Sequence, residues 1–165
     1  MIDTSYLLES FLQKYRFSRV KNYIIGDVLD FGGNEGELGK FVSGEYTVVN
    51  YDHKPMKNKM FDSIISLAVV EHIEVKEVFR IFRKFKKHLR PNGHIYLTTP
   101  TPASKPVLEL LASIGFLEKE NIDEHKHYWN SKDIYLLAKK TGFKIKEYSK
   151  FQYGFNQAAL MVNNK

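Results

Sequence analysis

The chain has 165 residues, of which 43% are hydrophobic and 14% aromatic, a composition that suits one domain with a real core and excludes a disordered chain. Its formal charge of +6 leaves acidic or phosphorylated partners open. The lack of cysteine excludes a disulfide frame, a thiol nucleophile and a thiolate metal site.

No apolar run approaches the roughly 18 residues of a membrane span. The opening MIDTSYLLESFLQKYRF is amphipathic and lacks the basic head and apolar body of a secretion signal, so cytoplasmic residence is expected. Residues 4–22 read as a helix with Tyr6, Leu7, Phe11, Tyr15 and Val20 on its buried side. A strand at 25–31 follows, then a glycine turn and a short helix at 35–42. Tyr46–Tyr51 reads as a second strand ending on Asp52, and Asp62–Leu67 as a third. The segment 74–89 carries Val78, Ile81, Phe82, Phe85 and Leu89 at helical spacing. Its bases Arg80, Arg83, Lys87 and Arg90 share the other face, which reads as a solvated surface of a sheet-packing helix, the alternative being a nucleic-acid patch. Pro91-Asn92-Gly93 turns the chain into a strand at 94–99, closed by Pro100. Helices are expected from Pro106 to Ile114 and over 131–141, the latter with Ser131 as N-cap and Gly142 as its stop. Phe143–Lys150 and Phe155–Val162 read as an antiparallel pair across Tyr153-Gly154. Strands alternating with helices predict a mostly parallel sheet covered on both faces.

The stretch VLDFGGNEGELGKF (Val28–Phe41) carries the chemistry. Glycines after the first strand of such a sheet let backbone N–H groups approach a ligand at the strands' carboxyl ends. Asp52 lies 20 positions past Gly32 (52 − 32), where a carboxylate can accept both hydroxyls of a ribose. A dinucleotide fingerprint needs G-x-G-x-x-G, whereas here the glycines stand at 32, 33 and 36 with Asn34 between. Asn tolerates a left-handed backbone, so this turn can still close.

That spacing resembles the D-x-G-x-G-x-G turn of class I S-adenosylmethionine-dependent methyltransferases. FDSIISLAVVEHI (Phe61–Ile73), HLRPNGHIYLTTP (His88–Pro100) and HKHYWNSKDIYLLAKKTGFKI (His125–Ile145) are similar, in the same order, to elements of the group that includes ubiquinone-biosynthesis O-methyltransferases. The resemblance covers about 26–163. It implies an α/β fold of Rossmann-like methyltransferase type, three-layer α/β/α, with an antiparallel C-terminal hairpin and without strand 3. Residues 1–165 would form one domain, with 1–22 as N-terminal helix and 100–130 on the acceptor side.

The same likeness implies S-adenosylmethionine as cofactor and S-adenosylhomocysteine as product. Asp30, Gly32, Gly33 and Gly36 would shape the pocket for the methionine part, and Asp52 would hold the ribose. Ser66, Leu67 and Ala68 would lie under the sulfonium, with Glu71 and His72 just beyond. His72 is the candidate base, since imidazole titrates near neutrality, and the alternative is a Glu-His pair that merely caps the turn. His125, His127, Tyr128 and Trp129 would stand at the acceptor, with His127 a second catalytic candidate. The alternative packs Trp129 in the core and leaves the histidines in solvent. Some relatives gather a divalent metal with a further carboxylate at the position of Ala68. Glu71 and His72 without a third ligand predict no metal.

The expected acceptor is a small molecule or a sugar- or envelope-type intermediate, with the oligomeric state open. A nucleic-acid acceptor is disfavoured, because Leu67–Val70 stands where an Asp/Asn-Pro-Pro-aromatic turn would be, and cytosine C5 chemistry needs a thiolate. The alternative function is a non-catalytic member kept for cofactor or partner binding. Its basis is the short link His53–Phe61, where relatives fit a helix, a strand and the adenine-recognising acid. Nine extended residues reach about 30 Å, and crossing two strand spacings while returning one strand length needs about 20 Å, so the link can close. His53–Met60 itself would then cover adenine.

Overall fold

A computed structural model describes residues 15–34, 36–50, 59–114 and 125–163. A six-stranded sheet runs through it in the order β2-β1-β3-β4-β6-β5. The strands are β1 (Val28–Phe31), β2 (Tyr46–Val49), β3 (Phe61–Leu67), β4 (Leu89–Pro100), β5 (Lys144–Phe151) and β6 (Asn156–Val162). The first four are parallel, and β6 enters antiparallel to both β4 and β5. β2 and β3 thus lie on opposite sides of β1. Among the described residues no strand lies beyond β2.

The apolar strands divide their side chains between two layers, as the two-residue strand period requires. Leu29, Ile64, Ile95, Leu97, Ala159 and Met161 pack with helices α2 (Val75–His88) and α4 (Ser131–Thr141). Val28, Ile65, Tyr96, Ala158 and Leu160 face the opposite layer, with Val20 from the helical run 15–20 (α1) and Leu38 from a 3-10 turn at Glu37–Phe41. Tyr15 packs on that second layer, while Tyr6, Leu7 and Phe11 lie outside the described residues. Helix α3 (Lys105–Ser113) buries none of its side chains among the described residues.

Three local expectations change. The segment expected as a short helix at 35–42 is a 3-10 turn entered through Gly36, whose left-handed φ of 77° does not begin an α-helix. The N-cap of α4 is Asn130 rather than Ser131: Asn130 Oδ1 accepts from the Asp133 amide, and Asp133 Oδ2 accepts from the Asn130 amide. Gly142 ends that helix in the left-handed conformation, as expected. Arg90 leaves the exposed face of α2. The helix ends at His88, and Arg90 bridges Asp62 at 2.6 Å and Asp27 at 2.8 Å, tying the starts of β1, β3 and β4. Arg80, Arg83 and Lys87 remain exposed, and Arg80 pairs with Glu77 on its own helix.

Candidate active site

The chain order reverses between β1 and β3, and the crevice beyond their carboxyl ends is where an open parallel sheet binds ligands. Two loops meet there. Gly32, at φ 82°, leads out of β1 and donates its amide to the Val49 carbonyl at 2.9 Å. A Cβ built on Gly32 would lie 2.4 Å from Val69 of the loop after β3, so the glycine is what lets the loops touch. Asn34 at φ 43° and Gly36 at φ 77° complete a turn of left-handed residues, and Asn34 takes the conformation its chemistry permits. The Asn34 amide donates to Asn50 Oδ1 at 3.3 Å.

Asp30 supports this turn from within the sheet. It is 3% exposed, and its Oδ2 accepts the Tyr46 hydroxyl at 2.5 Å. Burial pushes its carboxyl up to about 6, against the opposing pull of that hydrogen bond. Asp52, the expected ribose ligand, lies outside the described residues, as do 53–58 of the expected adenine cover His53–Met60.

The loop after β3 is strained at Ala68, which has φ 56° and donates its amide to the Thr98 carbonyl at 3.0 Å. Ser66 is fully buried, and its hydroxyl has no hydrogen-bond partner among the described residues. A 3-10 turn over Val70–His72 then presents Glu71 and His72. Glu71 is 1% exposed, and burial lifts its carboxyl to about 7 although Thr99 Oγ1 donates to Oε2 at 3.1 Å.

The chain at 125–129 is strapped onto this turn. The amides of Lys126 and His127 both donate to the Glu71 carbonyl, at 2.7 and 3.2 Å. His125 thereby stands edge-on to His72 with ring centres 4.7 Å apart, and Tyr128 lies 5.1 Å from His125. Burial, with the neighbouring His72, lowers His125 to about 4, so its ring is neutral near pH 7. His127 goes elsewhere: its Nε2 meets Asp133 Oδ2 at 3.2 Å, at the cap of α4. Trp129 is 1% exposed and belongs to the core, with its indole N–H directed to the Val70 carbonyl at 3.3 Å. It forms a floor for the strap, 5.1 Å from His127 ring centre to ring centre. The expected acceptor group is thus divided, with His125 and Tyr128 beside His72, and His127 and Trp129 tied into the scaffold.

The strap also supplies what sequence spacing lacks. A Glu71 carboxylate oxygen and one nitrogen each from His72 and His125 all lie within 4.8 Å of one another. One carboxylate and two imidazoles suit zinc, manganese or iron(II). The set fits such an ion: His125 is neutral, its buried Nδ1 has no hydrogen-bond partner among the described residues, and Glu71 sits where a nearby cation would favour its anion.

Comparison with known proteins agrees with this architecture. A ubiquinone biosynthesis O-methyltransferase of Rickettsia canadensis is 29% identical over 94 residues, covering 54% of this chain and 39% of that protein. The chain thus spans well under half the length of this curated relative. A S-adenosylmethionine-dependent methyltransferase of Archaeoglobus fulgidus superposes with a TM-score of 0.67 at 17% identity, covering 92% of this chain and 93% of its own. Another, from Mesorhizobium loti, gives 0.61 at 12% identity, over 85% and 92% of the two chains. Both likenesses establish the Rossmann-like fold. Residues 6–148 match the family described as a methyltransferase domain, most of the sequence, and the chain belongs to that family.

Proposed function

We propose that the chain transfers a methyl group from S-adenosylmethionine to a small-molecule or sugar- or envelope-type acceptor, as one domain with 100–130 on the acceptor side. The observation that carries this reading is the glycine-rich turn at the switch point, left-handed at Gly32, Asn34 and Gly36, with Gly32 held against Val69 of the loop after β3. Gly32, Gly33 and Gly36 cradle the cofactor's amino-acid end, with Asp30 shaping the turn. Asp52 clasps the ribose hydroxyls, and Ser66, Leu67 and Ala68 line the sulfonium.

The cofactor supplies a carbon already activated by a cationic sulfur. The chain's own work is alignment and proton removal. The acceptor sits beside His125 and Tyr128, in line with the methyl carbon. Bound S-adenosylmethionine would supply the methyl group, and His72 would take the proton that a hydroxyl acceptor gives up. His125, as a neutral neighbour, adds no charge beside His72.

A second reading rests on the cluster of Glu71, His72 and His125. If these hold a divalent ion, His72 is a ligand, and the ion supplies the acidity that makes an acceptor hydroxyl lose its proton. Calorimetry with S-adenosylhomocysteine tests the common ground. The wild-type chain is expected to bind it and not NAD, and Asp52→Ala to weaken it by about 1.5–3 kcal/mol, the worth of charged hydrogen bonds. A folded chain that binds neither would leave the non-catalytic alternative in place. Unaltered affinity in Asp52→Ala would overturn the ribose assignment alone.

A further inference from the structure

Tyr46 opens β2, ten positions past Gly36 (46 − 36), and touches the turn's supports at three points. Its hydroxyl donates to Asp30 Oδ2 at 2.5 Å. Its ring lies under the two later glycines, since a Cβ built on Gly36 would come within 3.3 Å of the ring and one on Gly39 within 3.0 Å. The Asp30 carboxyl in turn occupies the place of a side chain at Gly33, where a Cβ would lie 2.1 Å from Oδ2 and 2.2 Å from Cγ. The parallel register explains the reach. Asp30 pairs with Val48 and Val28 with Tyr46, so Asp30 and Tyr46 project to the same face, two residues apart along the strands.

We propose that Tyr46 is a positioning residue of the cofactor site, its hydroxyl holding the Asp30 carboxyl against Gly33 and so fixing the main chain on which the cofactor's amino-acid end lies. The inference rests on the reading that this turn binds S-adenosylmethionine. A buried carboxyl without a partner turns away or draws in water, and here either movement would release the wedge beneath Gly33. The ring alone, as in phenylalanine, would still fill the space under Gly36 and Gly39. The hydroxyl is therefore separable from packing.

The test compares two ligands that share the nucleoside and differ in the tail. S-adenosylhomocysteine carries the amino-acid end, and 5′-methylthioadenosine lacks it. In the full chain, Tyr46→Phe is expected to weaken S-adenosylhomocysteine about tenfold, or about 1.4 kcal/mol, and to leave 5′-methylthioadenosine within twofold of wild type. General loosening of the sheet would weaken both alike, and that result overturns the proposal. So does unchanged affinity for S-adenosylhomocysteine. Should Tyr46→Phe not fold, Asp30→Leu removes the hydrogen bond from its other end, with the same tenfold loss for the longer ligand expected and wild-type affinity overturning the proposal. If the wild-type chain binds neither ligand, the cofactor reading itself fails and takes the proposal with it. If wild type binds both and Tyr46→Phe matches it, only the role of Tyr46 falls.

Discussion

Glu71 makes stability depend on pH in an unusual direction. Its carboxyl is 1% exposed, and burial raises it from an ordinary 4.5 to about 7. A group whose folded pKa lies above its unfolded value holds its proton more tightly in the folded chain. Its contribution is complete below about 4.5 and is lost as pH rises through 7. Between about pH 5 and pH 8 the unfolded chain gives up its proton early and the folded chain late. The difference amounts to about 2–3 kcal/mol of stability. Taken alone, for a chain of this length, that lowers Tm by roughly 5–10 °C. Thermal melting in a chelating buffer across that range measures it. Glu71→Gln keeps an acceptor for the Thr99 hydroxyl and removes the titration, so the Tm of wild type should drop relative to that of Glu71→Gln by that amount between pH 5 and pH 8. Asp30, raised to about 6 by burial, adds a smaller slope of the same sign that the substitution leaves in place. His125, lowered to about 4, contributes a slope of opposite sign that the substitution also leaves in place. Equal slopes in wild type and Glu71→Gln would refute the buried-acid argument.

The metal reading predicts that zinc or manganese raises the wild-type Tm at pH 8 by an amount that grows with ion concentration, and that His125→Ala abolishes the effect. A rise that persists in His125→Ala would place the ion elsewhere. Ala68→Gly relieves a left-handed alanine at φ 56°, and is expected to stabilise the fold by about 1 kcal/mol after glycine's extra chain entropy, or roughly 2–4 °C. A lower Tm would mean that the Ala68 methyl has packing worth more than the strain.

β1, β3 and β4 are legible because short apolar clusters, Val28-Leu29, Ile64-Ile65 and Ile95-Tyr96-Leu97, are each followed within a few residues by a turn or breaker: Gly32, Ala68 and Pro100. The glycine turn is legible for a different reason. Few side chains accept positive φ, so Gly32, Asn34 and Gly36 declare the turn by their identity. The meeting of His125 with Glu71 and His72 is not legible, since 53 positions (125 − 72) separate the histidines. What joins them is a pair of backbone amides on one carbonyl, and amides leave no mark in composition or periodicity. Asp30 did leave a signal, because an acid inside an apolar strand requires a partner. Tyr46, two places ahead of Val48 on the neighbouring strand and on the same face, was the residue to look for. Arg90 was assigned by helical spacing carried one step too far: Pro91 disfavours helix in the residue before it, and the chain there is already strand.

Trp129 is the chain's single tryptophan, and its place beneath the strap turns it into a built-in optical probe. Its emission comes from one environment, dry and capped by an imidazole edge. A red shift at temperatures below the main melt would announce that residues 125–129 had peeled from the Glu71 carbonyl while the sheet stayed whole. A spectrum that moved only with global melting would mean the strap and the sheet come apart together.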